Sequence, residues 1–337
     1  MASALATSGY YTRINVALSA TSARRLADVT DVDALALRYD PTFNQNAIAV
    51  TCKSGASKTL GPAREIFYLR GVLDYVHAES GVAAFLQKPI APHLRDLGRR
   101  LNILVLSGNE IEEWCQSLTN DLPDRGYFQE LAYGEYLASW ARLGDRGLGD
   151  YLRTDYWFHF DFRNLQNLVV HTRKVSSRLD GHQNWHNLIA LDIAAHLCLT
   201  VFDLCRQIRM LGLSSIAQTT AAYLFGGPAS LKARRDLYRR VQHLLASTSV
   251  AGPSEPSLPP LEPAYTEALA ELAIRFIDRP HAAILIPQVI QDNFWRLLGA
   301  NGVLAREDKN FLAAEKLTQD LLDFLKKAAG AEWMPKL

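Results

Sequence analysis

A change of periodicity near residue 119 limits the fold of this chain more than any other feature of its sequence. Before it, apolar residues recur at alternate positions in short runs broken by helical patterns. After it they recur only at spacings of three and four. Side chains alternate between faces on a strand and return to one face about every 3.6 residues on a helix, so the two halves differ in kind. In the first half, residues 11–18 read as a strand with Ile14, Val16 and Leu18 on one face. Residues 31–38 and 47–52 read as two more strands. Gly61-Pro62 opens a helix, because proline is tolerated in a first turn where its missing N–H costs nothing. Residues 81–86 form a wholly apolar run, as in a strand covered on both faces. Leu94, Leu97 and Leu101 mark a short helix, residues 102–106 a further strand, and Ser107 with Glu110 a capping box for the next helix. The spacing predicts an α/β domain over 1–118 whose last strands pair in parallel through helical crossovers.

The remainder divides into a helical domain at 119–248, a linker at 249–263 with five prolines, and a C-terminal helical segment at 264–337. Helices are expected at 128–143, 188–210, 231–245, 264–277, 281–298 and 310–329, the last stopped by Gly330. Residues 156–160 fit a strand or a buried helix. The run 188–204 is interrupted by Asp192, His196 and Asp203, which suits a buried helix better than a membrane span. The first residues lack the pattern of a signal peptide, and the expectation is a cytoplasmic protein with no membrane partner. Cys52, Cys115, Cys198 and Cys205 have neither zinc-finger nor disulfide-framework spacing; Cys198 and Cys205 read as small buried hydrophobes.

The two strands over 31–38 and 47–52 carry the chemistry. Asp31 and Asp33 stand at i and i+2 in an otherwise apolar run, as do Thr51 and Lys53 in the next. If the strands pair, an acid and a lysine meet at a sheet end. Together with the leading Gly9-Tyr10-Tyr11-Thr12-Arg13 and the helix, strand, helix and strand that follow, these residues resemble the PD-(D/E)XK superfamily, the restriction-endonuclease-like nucleases. The likeness covers the first third of the chain. It implies an αβββαβ core, Mg²⁺-dependent phosphodiester cleavage, and engagement of DNA in prokaryotic defence or DNA maintenance. By position, Asp33 corresponds to the metal aspartate, the Cys52 carbonyl to the ligand between acid and lysine, and Lys53 to the residue that faces the attacking water. Hard oxygen ligands of this kind suit Mg²⁺.

Two departures stand out. Thr51 occupies the place of the family's second acid, and residues 1–27 contain no Asp or Glu. Asp31 is the nearest replacement charge. The resemblance therefore implies a cleavage site that is weakened or lost. Its alternative is a noncatalytic pseudo-nuclease serving as the assembly subunit of a multiprotein complex, with a protein partner.

Elsewhere, Lys232, Arg234, Arg235, Arg239 and Arg240 form the densest basic cluster, a nucleic-acid contact or else a solvated helix face. Arg173, Lys174 and Arg178 form a weaker patch. His182 and His186 have the spacing of a helical zinc pair but no glutamate between them; hydrogen-bonded histidines are the simpler reading. Trp185, Trp295 and Trp333 read as packing residues. Residues 1–118 hold 12 Lys+Arg and 11 Asp+Glu, against totals of 36 and 35, so neither half attracts polyanions as a whole. Any DNA contact must come from local clusters or from a partner.

Overall fold

The computed structural model describes residues 1–22, 25–54, 61–87, 89–119, 122, 125–158, 162–211, 215–248, 258–300 and 308–336. A short helix, α1 (Ala2–Thr7), leads into three strands, β1 (Tyr11–Ser22), β2 (Arg25–Tyr39) and β3 (Gln45–Lys53). Then follow α2 (Pro62–Tyr75), β4 (Ser80–Phe85), α3 (Pro92–Arg100), β5 (Ile103–Ser107) and α4 (Asn109–Thr119). The strands form one five-stranded sheet in the order β1-β2-β3-β4-β5. Pairing is antiparallel from β1 to β3 and parallel from β3 to β5. The change of sense follows from the connections: short links join β1, β2 and β3, whereas α2 and α3 are the crossovers that parallel strands require.

Both faces of the sheet are covered. Leu5 of α1 packs with Ala34, Ala36, Val50, Val82 and Leu106 on one face, with Ile111 and Trp114 of α4 beside them. Ile66, Leu69 and Leu73 of α2 lie in a larger core on the other face, which continues into the helical half. Gly98 lets α3 lie directly on β5: a Cβ there would come 2.6 Å from the Ile103 carbonyl oxygen and 2.5 Å from Val105. Glu110 reaches back to the Ser107 amide (2.9 Å) as a capping box requires. The Ser107 hydroxyl, however, bonds the same carboxylate (2.9 Å) instead of the helix backbone, and Arg95 also holds it (2.9 Å).

The helical half consists of α5 (Glu130–Leu143), α6 (Arg146–Arg153), α7 (Phe162–Val175), α8 (Asn184–Leu211), α9 (Ile216–Leu224), α10 (Pro228–Thr248), α11 (Thr266–Asp278), α12 (Pro280–Ala283), α13 (Ile286–Leu297) and α14 (Lys309–Ala329). The order is thus α/β followed by helical. Helix α8, 28 residues long, is the centre of this half; its apolar window passes for a membrane span by length and composition, yet is wholly buried inside the protein. A helix apolar on all sides needs cover on all sides, and α5, α7, α9, α11, α13 and α14 provide it. Phe202 of α8 meets Tyr39 edge-on (4.8 Å between centroids) and also touches Phe43 and Phe276, joining sheet to bundle.

Several expectations change in detail. Residues 281–298 form two helices, because the chain turns at Ile284 and Leu285 between α12 and α13. Of the ambiguous aromatic stretch, residues 156–158 belong to a 3-10 turn (Asp155–Phe158) with Tyr156 and Trp157 fully buried, and residues 159 and 160 lie outside the described residues. Gly330 does close α14, in the left-handed conformation (φ 65°). Residues 249–257 of the proline-rich linker lie outside the described residues. At its described end, the Tyr238 hydroxyl donates to the Pro259 carbonyl (2.9 Å) and Arg235 pairs with Glu262 (2.6 Å).

Candidate functional site

Register fixes where the sequence-predicted residues fall. Ile14 pairs with Ala34 and Val16 with Val32, so Asn15 stands opposite Asp33. Ala34 pairs with Val50, which sets Asp33 level with Thr51, and Thr51 pairs with Ala83. Asn15, Asp33, Thr51 and Ala83 therefore form one row across four strands.

Strand alternation slips along this row. Asn15 has φ 54°, a left-handed conformation, and Val16 joins the same core as Tyr11 although an even-odd count puts them on opposite faces. On β2, Val32 joins the core that contains Leu35 and Leu37. The regular count that aligns Asp31 with Asp33 is thus interrupted at Asp33. Asp31 is exposed and pairs with Ala17.

Asp33 is half-buried, and its Oδ2 accepts the backbone N–H of Cys52 at 2.6 Å. Asp33 and the residue between Thr51 and Lys53 are thereby brought into direct contact. Thr51 itself is buried (4%) and Cys52 is exposed, its Sγ 3.6 Å from the Met1 Sδ. Lys53 ends β3 with its side chain partly in solvent, and its Nζ lies 3.7 Å from Oε2 of Glu65.

Glu65 was not among the expected site residues. It lies in the first turn of α2, where an anion interacts favourably with the helix dipole. Its side chain is only 8% exposed. The signal was present in the sequence: Glu65, Leu69, Val72 and Val76 follow helical spacing, which places a carboxylate on an otherwise apolar stripe. A buried carboxylate needs a cation or hydrogen bonds, and Lys53 is its cation. Two separate contacts thus lie at the C-terminal end of β3: Asp33 with the Cys52 amide, and Lys53 with Glu65. Both carboxylates and the Cys52 carbonyl are hard oxygen donors of the type Mg²⁺ takes. Among the described residues no group of three or more His, Cys, Asp and Glu side chains is placed to hold a metal ion.

The other candidates are distributed through the fold. On α10, Lys232, Arg234, Arg235, Arg239 and Arg240 are all exposed. Three of them have partners within the chain: Arg235 with Glu262 (2.6 Å), Arg239 with Asp236 (3.8 Å), and Arg234 over the Phe225 ring (5.6 Å). The weaker patch is structural in part, since Arg173 donates to the Ala328 carbonyl (2.8 Å) and Arg178 lies 3.5 Å from Asp145. His182 precedes α8 and is exposed, whereas His186 is buried inside its first turn, so they do not share a helical face. His186 Nδ1 instead accepts the Gly181 N–H (3.2 Å) and lies 2.9 Å from an Asp180 oxygen.

Compared with protein-family models, curated proteins and solved structures, the chain matches none.

Proposed function

We propose that this chain is a nuclease-fold protein that engages DNA and retains a weakened, metal-dependent phosphodiester-cleaving site built from Asp33, Lys53 and Glu65. The ion pair between Lys53 and Glu65 carries the reading. It supplies, from the following helix, the second acid that Thr51 lacks, and it gives the lysine back its charge partner. The sheet order supports the same reading, because three antiparallel strands, a helix and a parallel strand are what the αβββαβ core requires.

The roles follow from chemistry. Asp33 and Glu65, with the Cys52 carbonyl, would hold Mg²⁺, which neutralises charge growing on a phosphate. Lys53 orients a water or a phosphate oxygen, the two groups an ammonium at a sheet end meets from solvent. Asp33 is held in place by the Cys52 amide, and Glu65 by the packing of α2. A second carboxylate borrowed from a helix, in place of one on the strand beside Lys53, weakens the ion's hold, so Mn²⁺, which accepts the same ligands and binds such sites more tightly, should serve better than Mg²⁺ at low concentration. The helical half and the exposed basic residues of α10 would dock DNA or a partner subunit in a cytoplasmic complex of prokaryotic defence or DNA maintenance.

The test is cleavage of supercoiled and single-stranded DNA with Mg²⁺ or Mn²⁺, comparing wild type with Asp33→Ala and Lys53→Ala. Loss of cleavage in both variants is expected. Cleavage that survives both substitutions assigns the activity to other residues.

A further inference from the structure

A cavity of about 630 Å³ opens beside the row that contains Asp33. It lies between β1, α5, α6, α8 and α13, and Asn15, the residue opposite Asp33, is part of its wall. Cavities of roughly 300–1,000 Å³ are the size that takes small organic groups.

Its walls are aromatic. Phe128 and Trp295 lie 4.7 Å apart between centroids, Phe294 and Trp295 5.2 Å, Tyr136 and Phe294 5.3 Å, and Tyr133 and Tyr136 5.7 Å. Trp140 adds a further face from α5. Gly149 makes room for it, since a Cβ there would come 3.2 Å from the indole ring. The floor is polar and fixed: Arg13 bonds Asp192 (2.5 Å) and the Tyr136 hydroxyl (3.0 Å), and that hydroxyl donates to Asp192 (2.7 Å).

Charge decides among ligands. Arg13 neutralises Asp192, Arg178 lies 3.5 Å from Asp145, and Arg153 and Asp150 on the wall have opposite signs. A cationic ligand would want carboxylates without partners, and a polyphosphate would want excess cations. With acids and bases nearly balanced around the wall, the cavity favours neither. An aromatic slot with balanced charge and a hydrogen-bonding floor suits a neutral planar heterocycle with a polar edge.

We propose that this cavity receives an unstacked nucleobase of single-stranded nucleic acid, placing its backbone along the Asn15–Asp33 row. This rests on the nuclease reading for the identity of the heterocycle. Neighbouring strands are about 4.8 Å apart, on the order of one nucleotide step, so a base held at β1 sets the adjoining phosphate near Asp33 on β2. Base–aromatic stacking tolerates any sequence, because every base has a π-face. The cavity thus selects single strands over duplexes without selecting sequence.

The experiment uses the full chain in EDTA, which prevents cleavage, and a ten-nucleotide thymine strand with one central 2-aminopurine. A saturable change in 2-aminopurine fluorescence is expected. Tyr133→Ala and Trp140→Ala, both at partly exposed aromatic wall positions, should weaken binding about 5- to 150-fold, the range that loss of one stacked base produces. Annealing the complementary strand should weaken binding at least as much. Wild-type affinity in both variants, each shown folded by circular dichroism, overturns the proposal, as does equal affinity for the duplex. The two readings fail separately: binding in EDTA without any Mg²⁺- or Mn²⁺-dependent cleavage supports the cavity and sinks only the cleavage site, whereas cleavage with no 2-aminopurine response sinks only the cavity.

Discussion

Arg13 of β1 and Asp192 of α8 form a buried ion pair of 2.5 Å that ties the α/β half of the chain to the helical half. Asp192 is 1% exposed and also accepts the Tyr136 hydroxyl, while burial and the adjacent Asp192 charge act in opposite directions on Arg13, with a net rise above its ordinary value. Removing one partner of a buried pair leaves an uncompensated charge and costs about 3–5 kcal/mol. Arg13→Met should lose stability of that order in urea denaturation. The double variant Arg13→Met/Asp192→Leu should recover much of it, because no charge then remains buried; a double variant no more stable than the single one would contradict this account of the pair.

His196 stands one turn along α8 from Asp192, fully buried between Tyr156 and Trp157. Burial lowers its pKa to about 4, with Asp192 opposing the shift. A depressed folded-state value means that the unfolded chain takes up a proton near pH 6.5 while the native one stays neutral. Stability from this group is therefore full above pH 6.5 and is lost as pH falls toward 4. The loss amounts to about 3 kcal/mol. Chemical denaturation at pH 7 and pH 4 should show wild type losing that much more than His196→Gln. Equal losses would show that His196 is not the group responsible.

Gly98 lies where α3 rests on β5, with no room for a Cβ. Gly98→Ala should lift the helix or strain the strand, at about 1–3 kcal/mol. A thermal midpoint unchanged from wild type would mean that the two elements slide apart freely.

Along α10, Arg235 is engaged by Glu262, and Arg239 lies near Asp236, whereas no partner in the chain is described for Lys232 or Arg240. Charge reversal at Lys232 and Arg240 should weaken DNA binding and flatten its salt dependence by about one phosphate contact each. Reversal at Arg235 should chiefly disturb the contact with residues 258–262. An unchanged salt slope in the Lys232→Glu/Arg240→Glu variant would place DNA elsewhere.

The elements that were legible in the sequence are those set by local pattern. The strands at 11–18, 31–38 and 47–52, the proline-opened α2 and the long α8 all stand near their expected places, since each announces itself by spacing alone. Side-chain direction was less accessible. Ile14 and Val16 are alternate residues in one run, yet they pack on opposite faces because Asn15 between them turns left-handed. The contacts of the candidate residues were partly legible. Asp33 does meet the Cys52 amide next to Lys53, but the Glu65 that pairs with Lys53 comes from the next helix, and only its place on an apolar stripe marked it. The aromatic cavity was not legible at all: its walls come from β1, α5, α6, α8 and α13, and no local spacing joins Trp295 to Phe128. The shared helical face suggested by His182 and His186 does not form, because α8 begins after His182; the hydrogen-bonded reading holds for His186.

In the proposed site Glu65 takes the place of the acid missing at Thr51. The most direct measurement of that role is the single-turnover rate of Mn²⁺-dependent DNA cleavage by Glu65→Gln, which keeps the size of the side chain and removes its charge. A rate at least 100-fold below wild type is expected, about 2.7 kcal/mol in the barrier, with the folded structure intact. A rate equal to wild type, or a folded wild type that cleaves no DNA with either metal, would contradict that role.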